Sequence, residues 1–187
     1  MTTVLTPANQ LTLLRMLLIP AFVILLLYGH LGWALVVFVT AGITDALDGL
    51  IARWSGQKTT VGAWLDPMAD KLLLVTTFIA LTLPWLGLMN PFPVWLTVLI
   101  ISRDVGIVLT VAIVNLAVGR RTFRPSIFGK IATATYIATA VAAMIFNYLR
   151  YHSVIVDIGI FASLVITLVS GFHYIWHAAR ILNAPVS

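Results

Sequence analysis

Asp45-Ala46-Leu47-Asp48-Gly49-Leu50-Ile51-Ala52-Arg53, then eight residues, Gly62, three residues, Asp66, three residues and Asp70: this stretch decides how the chain is read. It joins the end of one long apolar segment to the start of the next, and it holds four of only six acidic residues. On helices, Asp45 and Asp48 stand at i,i+3 and Asp66 and Asp70 at i,i+4, so each pair shares a face. Two such helices lying side by side bring four carboxylates to one point. At an effective dielectric near 20, two like charges about 4 Å apart repel by roughly 4 kcal/mol. Something positive must sit between them. Ionisable groups at membrane depth are costly and usually functional, so the function is sought here.

Outside this stretch the chain is apolar. Of 187 residues 61% are hydrophobic and 9% charged, against about 25% charged in soluble domains. A bilayer core needs about 20 apolar residues per helix. Six stretches meet that need: 9–30, 32–54, 62–86, 92–119, 127–149 and 154–182. Gly29 and Gly32, Ser55-Gly56, Gly87 with Asn90-Pro91 and Pro93, and Arg124-Pro125-Ser126 separate them. The segments are too long and too uniformly apolar for strands. The expected fold is an all-α integral membrane protein of six transmembrane helices, with residues 1–187 forming one domain. No Lys or Arg precedes the first apolar run, so that segment is expected to stay and span rather than be cleaved. No cysteine is present, which excludes disulfides.

The net charge of +5 is unevenly placed. With six spans, one side holds both termini together with Arg53, Lys58, Arg120, Arg121, Arg124, Lys130 and Arg180, and the other side holds Arg150. The basic side is therefore expected to be cytoplasmic, at the inner membrane, with the aspartates facing the cytosol. Trp33, Trp54, Trp64, Trp85 and Trp95 fall near span ends, where indoles favour the interface.

Clustered carboxylates without Cys or nearby His favour hard cations such as magnesium, manganese or calcium over zinc. Four of them are enough for two metals about 4 Å apart, a geometry suited to displacement at phosphorus. Gly49, Ala52 and Gly62 allow close approach of a helix or a ligand. Arg53 can neutralise phosphate oxygens, or act as a topology-setting cation whose stem lies along apolar surface. Pro67 removes a backbone hydrogen bond near the start of helix 3, an expected opening beside Asp66. The same acids could bind cations in a carrier, but transporters place such groups at the midplane rather than at one membrane face.

The spacing Asp-x2-Asp-Gly-x2-Ala-Arg-x8-Gly-x3-Asp-x3-Asp resembles, without a departure, the signature of the CDP-alcohol phosphotransferases. The resemblance extends to Pro7-Ala8-Asn9-Gln10-Leu11-Thr12-Leu13-Leu14-Arg15 and to Asp66-Pro67-Met68-Ala69-Asp70-Lys71. It implies transfer of a phosphatidyl group from CDP-diacylglycerol to an alcohol, with release of CMP. It implies that Asp45, Asp48, Asp66 and Asp70 coordinate two divalent cations, magnesium or manganese, and that Asp70 also takes the proton of the attacking hydroxyl. Asp48, Gly49, Ala52, Arg53, Gly62 and Asp66 would border the CDP moiety. The family also implies a homodimer; no nucleic-acid partner is expected.

For the acceptor, Arg103, Arg124 and Lys130 are the candidate residues. Ser126 is a candidate cap for helix 5, whose N-terminus would itself favour a phosphate. Arg120, Arg121 and Arg124 have an alternative role in holding anionic headgroups. Arg103 and Asp104, as sequence neighbours, are expected to point different ways. An acceptor carrying its own phosphate follows, and the pattern is similar to the phosphatidylglycerophosphate synthase and eukaryotic-type cardiolipin synthase branches. These use glycerol-3-phosphate and phosphatidylglycerol respectively. Helix 4 has Arg103-Asp104 where the first branch usually has Arg-Glu, and helix 5 has Ala132 where it has a second Lys, while Ser102-Arg103-Asp104-Val105 and Arg124-Pro125-Ser126 resemble the second branch more closely. Glycerol-3-phosphate is the expected acceptor and phosphatidylglycerol the alternative. His173 and His177 are read as packing or interfacial residues, and Asp157 as a favourable charge at the start of helix 6.

Overall fold

The computed structural model describes residues 7–55, 60–118 and 126–182, with side chains described at most of these positions but not at 7–9, 46, 48–55, 60–68, 70, 114, 115, 117, 118, 177, 178, 181 or 182. Six α-helices follow one another: α1 Pro7–Leu27, α2 Leu31–Ser55, α3 Thr60–Thr82, α4 Val94–Val118, α5 Ile127–Tyr148 and α6 Val154–Leu182. No strand occurs among the described residues. Among the described residues, four helices contain segments long and apolar enough to cross a bilayer: Gln10–Leu27, Val94–Ile113, Ile127–Tyr148 and Val154–Trp176. In α2 and α3 the apolar part is shorter, Leu31–Asp45 and Lys71–Thr82.

The ends follow local chemistry. Gly29 (φ 77°) lies just past the end of α1, where a left-handed residue costs little only for glycine. Helix α3 runs unbroken through Pro67, so the opening expected there is not found. It stops at Thr82, four residues before the expected end. Leu83 precedes Pro84 and is extended, since proline excludes the helical conformation from the residue before it. A single 3₁₀ turn, Pro84–Leu86, follows. Ser126 caps α5, its Oγ accepting from the Gly129 N–H at 3.0 Å.

The chain forms two compact units. The first comprises 1–91 with 140–152, and the second 92–139 with 153–187, so that α5 contributes to both. In the first unit α1 packs along α2 and α3. Its buried residues Thr12, Arg15, Ile19, Phe22 and Leu26 alternate by three and four, the seam of closely paired helices. Phe22 meets Phe38 of α2 with ring centroids 5.7 Å apart. At the end of this unit remote from the motif, Asn90 and Asn147 are clasped together. The Asn90 N–H donates to Asn147 Oδ1 at 2.7 Å, and Asn147 Nδ2 donates to the Asn90 carbonyl at 3.2 Å.

In the second unit α6 presents Gly159, Ser163, Thr167 and Ser170 along one side. A Cβ on Gly159 would lie 2.8 Å from Thr139 Oγ1, so glycine permits the close approach of α5. Thr139 Oγ1 lies 3.3 Å from Ser163 Oγ, and the Tyr136 hydroxyl 2.6 Å from Thr167 Oγ1. Interhelical hydroxyl pairs of this kind satisfy polar groups that lipid cannot. Elsewhere Thr40, Thr76, Thr77, Thr82 and Thr110 donate to carbonyls one turn back in their own helices.

Candidate active site

The two halves of the motif lie towards the end of α2 and the start of α3, both in the first unit. Asp45 lies ten residues before the end of α2 and Asp70 ten residues after the start of α3. Each therefore lies about 15 Å along its own helix from that end, at 1.5 Å per residue. Asp48 and Asp66 lie nearer those ends.

The described carboxylate of the four, Asp45, has a partner that motif spacing alone does not reveal. Arg15 of α1 is fully buried, and its Nη1 lies 2.5 Å from Asp45 Oδ1. Asp45 itself is 38% exposed, so the carboxylate bridges a buried cation and the surface. A guanidinium inside an apolar helix requires such a counter-charge. The signal in the sequence was faint: Arg15 is the lone charge of α1, on the same side as Thr12, Ile19 and Phe22. The side chains of Asp48, Gly49, Ala52, Arg53, Gly62, Asp66 and Asp70 lie outside the described residues. Among the described residues no group of three His, Cys, Asp or Glu side chains gathers.

Two of the three acceptor candidates lie in the second unit within the described residues; Arg124 lies outside them. Arg103 is largely buried on α4. Contrary to the expectation that it and Asp104 diverge, Nη1 donates to Asp104 Oδ1 at 2.6 Å. The flexible arginine stem folds back along the helix, which overrides the divergence of the two Cβ directions. Arg103 Nη2 donates to Ser170 Oγ of α6. The same nitrogen lies 3.5 Å from the position a Cβ on Gly129 would take, beside the capped first turn of α5. Lys130 is exposed one residue further on. His173 packs its ring on Phe128, centroids 4.9 Å apart, in keeping with a packing role; His177 lies outside the described side chains.

Beside Arg103 an apolar groove of about 390 Å³ runs between α4 and α6, walled by Leu99, Ile107, Leu168, Phe172 and Ile175. Gly106 also lines it, and a Cβ there would meet nothing within 4 Å.

A family model described as CDP-alcohol phosphatidyltransferase matches residues 5–176. A Mycobacterium tuberculosis (strain H37Rv) protein named "probable phosphatidylglycerophosphate synthase" is 34% identical over 181 residues, covering 92% of this chain and 81% of its own. A Rattus norvegicus protein named "cardiolipin synthase (CMP-forming)" is 37% identical over 162 residues, 76% of this chain and 52% of its own. A Streptomyces coelicolor protein of the same name is 35% identical over 118 residues, 60% of this chain and 53% of its own.

Proposed function

Because the chain belongs to the CDP-alcohol phosphatidyltransferase family, we propose that it moves a phosphatidyl group from CDP-diacylglycerol to the hydroxyl of sn-glycerol-3-phosphate, releasing CMP. The observation that carries this reading is the family match over residues 5–176, which contains all four aspartates at the family's spacing. The resemblance of 92% of the chain to a protein named for phosphatidylglycerophosphate synthesis supports the choice of acceptor.

In this reading the acceptor oxygen attacks the phosphorus that carries diacylglycerol. The bond from that phosphorus to CMP breaks, and CMP leaves with the electron pair. Asp70 takes the hydroxyl proton, since an alcohol near pH 7 is a poor nucleophile without a carboxylate in reach. Asp48, Gly49, Ala52, Arg53, Gly62 and Asp66 border the cytidine and phosphates, while Arg103, Arg124 and Lys130 hold the acceptor's phosphate.

The family uses divalent metal ions, and the donor set here fits them. It consists of carboxylate oxygens alone, the ligands hard cations prefer, and the described member, Asp45, reaches the surface. Asp45, Asp48, Asp66 and Asp70 would hold two such ions, magnesium or manganese. Bound there, they would offset the charge of the donor pyrophosphate and of the departing CMP.

The reading also has the protein in the cytoplasmic membrane, site and termini facing the cytosol, acting as one catalytic domain over 1–187 and as a homodimer. Lys and Arg placement supports that orientation.

A second reading takes phosphatidylglycerol as acceptor. The apolar groove beside Arg103 favours it, because a diacylated acceptor needs room for its chains, and so do the relatives named cardiolipin synthase.

Purified protein supplied with CDP-diacylglycerol and, in turn, glycerol-3-phosphate, phosphatidylglycerol and inositol phosphate tests the proposal. CMP release with phosphatidylglycerophosphate as the product is expected. Cardiolipin would transfer the assignment to the second reading, and the absence of CMP with every acceptor would end both. A divalent-cation carrier would give none.

A further inference from the structure

We propose that Ser170 of α6 is a positioning residue that fixes the Arg103 guanidinium for the acceptor's phosphate. The inference rests on the reading of Arg103 as an acceptor-binding residue.

A guanidinium binds a phosphate well when its planar fork is held before the anion arrives, and an arginine stem left free loses that advantage to rotamer entropy. Asp104 holds Nη1 at 2.6 Å. It is the next residue on the same helix, and one contact leaves the plane free to swing about it. Ser170, on another helix, holds Nη2. Two points on two helices fix the fork's plane.

Where that plane lies is itself informative. Nη2 comes to 3.5 Å from the Cβ position of Gly129, in the first turn of α5. Cations are stabilised at helix C-termini, whereas a helix N-terminus carries partial positive charge. A guanidinium held against an N-terminus gains most from an anion bound by both, and Asp104 supplies one carboxylate for two positive groups.

Ser170 also belongs to the hydroxyl-bearing side of α6, so a packing role must be separated from a positioning one. Ser163 provides the comparison: it is fully buried on the same side but faces Thr139. The separating experiment measures Michaelis constants for acceptor and donor, and kcat, on the purified full chain. The acceptor is whichever of glycerol-3-phosphate and phosphatidylglycerol the protein turns over.

Ser170→Ala is expected to raise the acceptor constant about tenfold, the scale of one hydrogen bond to a charged group, with the donor constant and kcat within about twofold. Ser170→Thr, which keeps the hydroxyl, is expected to restore the wild-type value, and Ser163→Ala to leave it unchanged. If Arg103→Ala raises the acceptor constant but Ser170→Ala does not, the positioning role is wrong and the acceptor reading stands. If Arg103→Ala leaves the acceptor constant unchanged, or neither acceptor is turned over, the acceptor reading fails and this inference with it. Equal losses in Ser170→Ala and Ser163→Ala across all three constants would reduce Ser170 to packing.

Discussion

Arg15, buried in α1, reaches across to Asp45, the first acid of the motif in α2, with Nη1 2.5 Å from Oδ1. Helix α1, which carries none of the four aspartates, thus supplies a cation to one of them, and its apolar seam is tied to the chemistry through a guanidinium.

Replacing that cation should destabilise the protein. Loss of one partner from a fully buried pair costs about 3–5 kcal/mol; partial access of Asp45 to water reduces this to about 2 kcal/mol. For a chain of this length, about 2–4 °C accompanies each kcal/mol. Arg15→Met should therefore lower the unfolding midpoint in detergent by about 4–8 °C. Scanning fluorimetry measures it, and an unchanged midpoint would show that the pair contributes nothing to stability.

Activity should vanish with a chelator and return on adding magnesium or manganese. Carboxylates at this spacing repel one another unless a counter-charge is bound. Full turnover in metal-free buffer would exclude the two-cation arrangement.

Asp70→Asn should abolish turnover while some CDP-lipid binding remains, whereas Asp45→Asn, Asp48→Asn and Asp66→Asn should weaken metal and donor binding as well. Turnover and equilibrium binding measured on the same four variants separate the base from the ligands. Equal binding losses in all four would mean that Asp70 has no separate role.

Lys130→Ala should raise the acceptor Michaelis constant about ten- to a hundredfold, since a charge-assisted contact contributes roughly 1.5–3 kcal/mol. The exposed position of Lys130 favours the lower end of that range. The donor constant should hardly move. No change in the acceptor constant would remove Lys130 from the acceptor site.

Helix positions were largely legible in the sequence because apolar length and breaker residues act locally. Gly29, Pro84 and Ser126 end or start helices through their own backbone chemistry. The motif was legible for the same reason, since its spacing lies within two helices and a short loop. Contacts between helices distant in the chain were not legible. Nothing in the run Leu13-Leu14-Arg15-Met16 points to Asp45, and nothing near Ser170 points to Arg103. The Arg103–Asp104 pair was missed for another reason: Cβ directions were considered, and the reach of a long side chain was not.

The clasp between Asn90 and Asn147 bears on how the protein is made. The two are separated by 57 residues, so at about 5–20 residues per second the ribosome adds the second roughly 3–11 seconds after the first. Through that interval the loop after α3 has neither its acceptor for the Asn90 amide nor its donor for the Asn90 carbonyl. The first unit is discontinuous in the chain and closes with its last-made piece, 140–152. Synthesis of α1–α3 therefore precedes that of the last piece of the unit they belong to, and a nascent chain halted before Asn147 leaves that end unfastened.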